Sequence, residues 1–311
     1  MIPVLTKEQA YKLDKDTIES GHLSQADLMD NAGKTVAQFF CEKIKDPFNQ
    51  KVLVVCGKGN NGGDGVITHS YLKKYNVSSK IVFTEEKHGH TNLIKKYKIS
   101  QNDYSIYSDK IISDKYDWII DGIFGIGLSR KLNSKYKKII NNLNVNKNII
   151  SIDIQSGMFA DTDNSKNYIN SKHVITFGYT KLGHYLYPIN SLLNYNIGFK
   201  KYKKADIELI GKEDISKILK DVEMKCNIHK YSKGTLGISS GSNKYPGAAI
   251  LCSKAAYKTG ARYVSLCFSG DKEMENSIKT QYPDILLNDH IFDTDFALFG
   301  PGYNYDTNFP D

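Results

Sequence analysis

Three short segments carry side chains suited to acid–base or ion-binding chemistry, and each follows an apolar run. "GKGNNGGDG" at residues 57–65 follows "KVLVVC" and sets Asp64 among five glycines. "DGIFGIGLSR" at 121–130 opens on Asp121, and "DIQSG" at 153–157 joins Asp153 to Ser156. Each combines a carboxylate with glycines that let the backbone come close to a ligand. A carboxylate in a partly dry crevice can move a proton, which makes Asp153 and Asp64 candidate acid–base groups. A glycine loop running into a helix is also an anion site, because free amides and the helix dipole converge on one spot. Any one of these loops reads equally well as a tight strand-to-helix turn, and Asp64 as a helix cap without chemistry. Three of them on one sheet edge read as a binding crevice.

Positioning such loops is the work of strands. The β-rich runs "KVLVVC", "KIVFT", "YDWIID", "NIISID" and "HVITF" alternate with helical stretches. This alternation predicts a parallel sheet with helices on both faces, where ligands bind beyond the carboxyl ends of the strands. Ahead of it, Thr6 and Gln9 have capping-box spacing, Gly21 supplies a stop and Ser24 a second cap. Leu28, Ala32, Val36 and Phe39 or Phe40 then recur at helical spacing. From Gly211 a polar connector without strand signal begins, and a second strand-loop-helix-strand unit follows: "TLGISS", "GSNKYPG", "AAILCSKAAYKTG" and "RYVSLCF", with "FALFGPGYN" near the end. The 311 residues therefore divide into an expected domain over 1–211 and another over 212–311.

Composition narrows the partners. No apolar run approaches the roughly 20 residues that span a bilayer, and no basic start precedes one, so a cytoplasmic protein without membrane contact is expected. The net charge is +8, yet of 42 basic residues only Arg130 and Arg262 are arginine, the side chain that forks onto phosphates and guanine. A solvated lysine surface, not a nucleic-acid footprint, accounts for the charge. Five cysteines, Cys41, Cys56, Cys226, Cys252 and Cys267, form no C-x-x-C pair and read as reduced core thiols. His88 and His90 lack further ligands at zinc spacing and read as surface histidines. The oligomeric state is not fixed by sequence, and a homo-oligomer stays open.

Two phosphate patterns can be tested on the first loop. The P-loop needs Gly-Lys before Ser or Thr, whereas Gly62 precedes Gly63 and Asp64, so it is excluded. The dinucleotide pattern G-x-G-x-x-G is met by Gly57, Gly59 and Gly62, with Glu85 about 20 residues on. Asp64 opposes it, as a negative charge near the helix end that a pyrophosphate would need.

At these residues the chain resembles the NAD(P)H-hydrate epimerases. Their hallmark loop is similar to "GNNGGDG", followed by "D-x-IFG-x-GL-x-R" at Asp121 to Arg130 and "D-I-x-SG" at Asp153 to Gly157. "LMDNAG" and the segment from Thr176 to Gly183 agree as well; Gln155 stands where the family usually carries proline. The resemblance implies a Rossmann-like three-layer α/β fold and, as substrate, hydrated NADH or NADPH, whose R and S forms are interconverted in nicotinamide nucleotide repair. It further implies a potassium ion on Asn61, Asp121 and Ser156. The hydrate would be lined by Asn60, Asn61, Gly62, Gly63, Asp64, Gly125, Ile126, Gly127, Leu128, Ser129, Arg130, Lys131 and Asp153, with Arg130 a phosphate contact. Asp153 is then the first choice for proton transfer and Asp64 the second. Lys181 matches a family lysine and reads as a phosphate contact or a solvated lysine.

Residues 212–311 resemble the start of the ADP-dependent NAD(P)H-hydrate dehydratases, in "HKYSKGTLGISSGSNKYPG", "YPD" and "FGPG". This implies an incomplete ribokinase-like α/β domain with exposed apolar strand surface, no dehydratase activity, and ADP as cofactor only for an intact domain. An NAD(P)-dependent oxidoreductase and a non-catalytic dinucleotide-binding module are the alternative functions.

Overall fold

Two capping boxes start the chain's first helices. Thr6 and Gln9 cap α1 (Lys7–Glu19), and Ser24 and Asp27 cap α2 (Gln25–Lys43), each pair exchanging side-chain and backbone hydrogen bonds. Gly21 closes the turn between them at φ 68°. The computed structural model describes residues 1–108, 115–163, 165–202, 205–220, 234–291 and 294–303. Cys226 and residues 229–233 of the "HKYSKG" segment lie outside them. The chain forms two compact units, Met1–Lys217 and Ile218–Asp311.

In the first unit, β1 (Ile2–Leu5) precedes α1 and α2. Then come β2 (Lys51–Cys56), α3 (Asn60–Lys74), β3 (Ser78–Phe83), α4 (Thr91–Lys96), β4 (Tyr104–Ile106), β5 (Trp118–Gly122), α5 (Ser134–Leu143) and β6 (Ile149–Ile152). β7 (His173–Phe177), β8 (Thr180–Lys181), α6 (Gly183–Leu186), β9 (Leu192–Tyr195) and β10 (Ile207–Leu209) follow, and α7 (Lys212–Lys220) begins in this unit and ends past its last residue, Lys217. Seven strands pair in parallel in the order β4-β3-β2-β5-β6-β7-β9. The order reverses between β2 and β5, which makes that crevice the topological switch point. The central strands are buried on both faces, which is why they read as unbroken apolar runs. One face packs Val54, Ile120 and Ile152 against Val36 and Phe40 of α2 and Val66 of α3. The other packs Leu53, Val55 and Ile119 against Ile139, Ile140 and Leu143 of α5. These are the three expected layers.

A small sheet in the order β10-β1-β8 has no counterpart in the sequence reading. In that order its strands run three, four and two residues, too short for a period to show. It nevertheless pairs Leu5 with Lys181 and so fixes β8.

The second unit carries β11 (Thr235–Ser240), α8 (Pro246–Lys258), β12 (Tyr263–Phe268), α9 (Lys272–Gln281), β13 (Leu286–Leu287) and β14 (Phe296–Phe299). Its four strands are parallel, in the order β13-β12-β11-β14, around a core of Ile238, Ala249, Val264, Leu266 and Ile278. β14 leaves Phe296, Leu298 and Phe299 exposed, as expected for apolar strand surface.

Two glycines of the turn from β2 into α3 sit too close to backbone for a side chain, and a Cβ on Gly57 would overlap the Ile123 carbonyl oxygen. A Cβ on Gly62 would overlap the Gly57 carbonyl oxygen and press on His90, whereas one on Gly59 would meet nothing. Gly62→Ala is expected to destabilise the first unit by about 2 kcal/mol or more, read as a lower urea midpoint. Gly59→Ser, at an extended N-cap where a hydroxyl can cap α3, should cost nothing measurable. Equal midpoints for the two variants would mean that the loop yields.

Candidate active site

The ends of β2, β5 and β6 open into a cavity of about 1360 Å³. Asn60, Asn61 and Asp64 of α3 line it, with Gly125, Ile126, Gly127, Leu128, Ser129, Arg130 and Lys131 after β5 and Asp153 after β6. Gly62 and Gly63 do not. Gly62 faces the Gly57 carbonyl and Gly63 faces Met29 of α2, so a side chain at either position would meet packed atoms. Asp121 and Ser156 are fully buried and are also absent from the lining.

Asp121 sits at the end of β5 without solvent or cationic partner among the described residues. Its Oδ1 accepts from the Ser156 hydroxyl at 2.5 Å and the Ile123 amide at 3.2 Å; its Oδ2 accepts from Ser151 Oγ at 2.8 Å and the Ser156 amide at 2.9 Å. Burial pushes its pKa up, and these four donors pull against that. Ser156 Oγ also accepts from the Phe124 amide, and Asn61 Nδ2 donates to the Phe124 carbonyl at 2.9 Å. Asn61, Asp121 and Ser156 thus gather around residues 123–125.

Asp153 takes a left-handed backbone, φ 64°, one residue past β6. Its amide donates to the Ile175 carbonyl at 2.7 Å and its carbonyl accepts from His184 Nε2 at 2.9 Å. The carboxylate accepts from Lys181 Nζ at 2.6 Å and Thr176 Oγ1 at 3.0 Å. Burial raises the Asp153 carboxyl, but the Lys181 ammonium, His184 and Thr176 outweigh it and hold it below its ordinary value. Lys181 is buried, and its three donors go to Asp153, Thr176 and the Phe177 carbonyl. It is neither solvated nor spare for a phosphate, which corrects the sequence reading. His184 Nδ1 accepts from the Lys181 amide, so Nε2 carries the hydrogen; burial and Lys181 bring its pKa down to about 4. The imidazole is a neutral brace at pH 7.

Asp64 lies in the second turn of α3, whose N-cap is Gly59, and is therefore not a cap. Among the described residues no hydrogen bond reaches its carboxyl, and burial followed by repulsion from Asp153 and Asp14 pushes its pKa well up. Asp14, on α1, lines the same cavity. Burial and Asp153 push its pKa up to about 6, against a lowering by Lys181. Sequence reasoning missed it, because helix α1 shows only capping and an apolar face. Its neighbour Tyr11 also lines the cavity, and Lys7 reaches the Gly127 carbonyl at 3.4 Å, so α1 walls the 125–131 loop.

His90 is a second correction. It is buried, and Nε2 meets the Gly57 carbonyl at 2.7 Å, which braces the glycine loop from outside. His88 stacks on Phe83 at 3.9 Å, and its Nδ1 accepts from the His90 amide.

The family described as YjeF-related protein N-terminus matches residues 25–183, which include all three loops. A bifunctional NAD(P)H-hydrate repair enzyme of Dictyoglomus turgidum is 29% identical over 301 residues, covering 91% of this chain and 57% of that relative. An NAD(P)H-hydrate epimerase of Entamoeba histolytica is 34% identical over 156 residues, covering 49% of this chain and 69% of its own. The crystal structure of yeast ynu0, YNL200c shares the fold at a TM-score of 0.52 and 21% identity, over 59% of this chain and 84% of that one. This chain spans little more than half the length of the bifunctional relatives, 57% and 51%.

The raised Asp14 carboxyl predicts a stability profile. Unfolded, an aspartate ionises near ~3.9; folded, Asp14 keeps its proton up to about 6. The associated stability is present in full below the unfolded value and is lost as pH rises through the folded one. Asp14→Asn should therefore match wild type near pH 4 and exceed it at pH 8 by on the order of 1 to 2 kcal/mol, allowing for partial solvent screening. Urea titrations from pH 4 to 8 check this, and parallel profiles would contradict it.

Proposed function

Because this chain belongs to the YjeF-related protein N-terminus family, we propose that its first unit interconverts the R and S forms of hydrated NADH and NADPH in nicotinamide nucleotide repair. The observation that carries the reading is a pair of carboxyls pushed in opposite directions within one cavity, Asp64 up and Asp153 down. Such a split assigns an acid and a fixed anion. The names of the relatives and the match over residues 25–183 support the same substrate class.

The hydrate bears its hydroxyl on the carbon next to the ring nitrogen. Inversion proceeds by loss and return of that hydroxyl or by opening and closing of the ring, and both routes need a proton moved at oxygen. Asp64, holding its proton, gives it to the departing oxygen and takes one back when water adds to the other face. Asp153, kept ionised by Lys181, stabilises positive charge growing at the ring nitrogen. This order places Asp64 ahead of Asp153 for proton transfer, the reverse of the sequence-based order. Asn60 and the 125–131 loop, with Arg130, hold the dinucleotide.

The residues at Asp121 fit a hard monovalent cation. Asp121 is a buried carboxylate without a cationic partner among the described residues, and the Ser156 hydroxyl, the Phe124 carbonyl and the Asn61 side chain beside it offer the kinds of oxygen such an ion takes. Asn61, Asp121 and Ser156 would hold potassium, which when bound supplies the missing positive charge beneath the cavity. The free thiols Cys41, Cys56, Cys252 and Cys267 accord with a reducing compartment, and we place the enzyme in the cytoplasm. We assign the second unit to the dehydratase portion of a bifunctional repair enzyme, because the match covering 91% of the chain runs beyond the 217 residues of the first unit. ADP would belong to that portion.

Purified protein mixed with the R hydrate should drive the epimer ratio to equilibrium, followed by chromatography. Asp64→Asn should slow it by ~10²- to 10⁴-fold, and a wild-type rate in that variant would remove Asp64 from the chemistry. Exchange of potassium for tetramethylammonium should lower the thermal midpoint, since Asp121 then lacks a counter-charge. An identical midpoint in both buffers would argue against the cation.

A further inference from the structure

The cavity extends past the glycine loop to a residue the proposed chemistry does not use. Glu85 lies two residues beyond β3, on the side of the loop away from Asp153, and lines the same cavity. β2 and β3 are in register, Cys56 opposite Phe83, and the Thr84 amide donates to the Cys56 carbonyl at 3.0 Å. That places Glu85 level with the start of the loop. Its Oε1 accepts from the Tyr136 hydroxyl at 2.7 Å, and Tyr136 is buried against Phe124 at 4.6 Å. The second oxygen, Oε2, is 3.9 Å from Lys58 Nζ. One oxygen of the carboxylate is thus anchored from behind.

The strand order fixes the direction of a bound dinucleotide. The reacting ring belongs at Asp64 and Asp153, the pyrophosphate at the start of α3, and the other nucleoside beyond it. Moving from β6 across β5 and β2 to β3 covers three strand spacings, about 14 Å. Resting on the proposed substrate class, we infer that Glu85 accepts a hydrogen bond from the 2′-hydroxyl of the adenosine ribose, so that the site favours the hydrate of NADH over that of NADPH. A carboxylate only accepts, and a ribose hydroxyl can donate to it. A 2′-phosphate brings about −1.5 to −2 charge and no matching donor, so it is repelled. Lys58, Arg130 and Lys131 also line the cavity, but all three are exposed, and Lys58 has a side chain 68% accessible. Solvent screens such charges more than it screens a half-buried carboxylate braced by Tyr136. In dinucleotide-binding folds an acidic residue about 20 positions beyond the glycine pattern has this role on the ribose.

The test compares epimerisation of NADH hydrate and NADPH hydrate by wild type and Glu85→Gln. The expected result is a kcat/KM ratio of tenfold or more in favour of NADH hydrate, falling to threefold or less in the variant through a gain on NADPH hydrate. A ratio unchanged by the substitution, or a wild-type preference for NADPH hydrate, overturns the assignment. Calorimetric titration with ADP-ribose and 2′-phospho-ADP-ribose, which lack the reacting ring, reads the same discrimination without turnover. Tighter binding of ADP-ribose, levelled in Glu85→Gln, supports it; equal affinities for wild type overturn it. Absent epimerisation with discriminating binding would fail the activity alone, and active epimerisation with equal binding would fail the role of Glu85 alone.

Discussion

One buried ammonium faces several carboxyls in the first unit, and that shortage sets the protonation of the crevice. Lys181 is the one lysine buried among the described residues, and its strongest contact is Asp153 at 2.6 Å. Two unit charges ~4 Å apart at an effective dielectric of about 20 interact by roughly 4 kcal/mol. The carboxylate that takes the ammonium therefore keeps its charge. Asp14 and Asp64 are already raised by burial and then meet an anion at Asp153, with no salt-bridge partner of their own among the described residues, and both are shifted toward the protonated form. Moving Lys181 would redistribute protons over all three residues, because each carboxyl is repelled by the others.

Holding that pair in place costs the backbone something. A non-glycine residue at φ 64° is strained by about 1–3 kcal/mol. The strain is offset by the bonds that fix it, from the Asp153 amide to Ile175 and from His184 Nε2 to the Asp153 carbonyl. The Lys181 amide donates to His184 Nδ1 and so selects the tautomer that donates from Nε2. Lys181 is in turn placed by β8, whose partner β1 begins the chain. The anionic site after β6 thus depends on a strand almost 150 residues earlier in sequence.

This dependence explains what could and could not be read from the sequence. The runs "KVLVVC" and "HVITF" became β2 and β7 residue for residue, because doubly buried parallel strands are written as continuous apolar segments. Asp64, Asp121 and Asp153 were legible because strand ends in a parallel sheet converge, and glycines flank them. Asp14 was not, since a helix aspartate between apolar positions has no local mark of the cavity it faces. Lys181 matched a family lysine but read as a phosphate contact or a solvated one; its burial goes with the pairing of β8 to β1, a contact no window of residues contains. His90 was misread for the same reason. Its partner is a carbonyl 33 positions earlier, and only the packing of α4's entry against the loop brings them together.

The glycine loop presents a conflict in sequence that the fold removes. G-x-G-x-x-G after a strand asks for a pyrophosphate, and a charged aspartate near that helix start would oppose one. Asp64 is a full turn into α3, and its environment favours the neutral acid, so the opposing charge is withdrawn from the place where phosphate would lie. A dinucleotide site for hydride transfer would gain nothing from a proton donor there. A hydrated nicotinamide would, because its hydroxyl leaves or returns only with a proton. On the proposed reading, the residue that spoils an ordinary dinucleotide cradle is the one that lets the same crevice act on a damaged dinucleotide. The neutral acid is kept neutral by its burial and then by the Asp153 charge, and that charge is kept by Lys181.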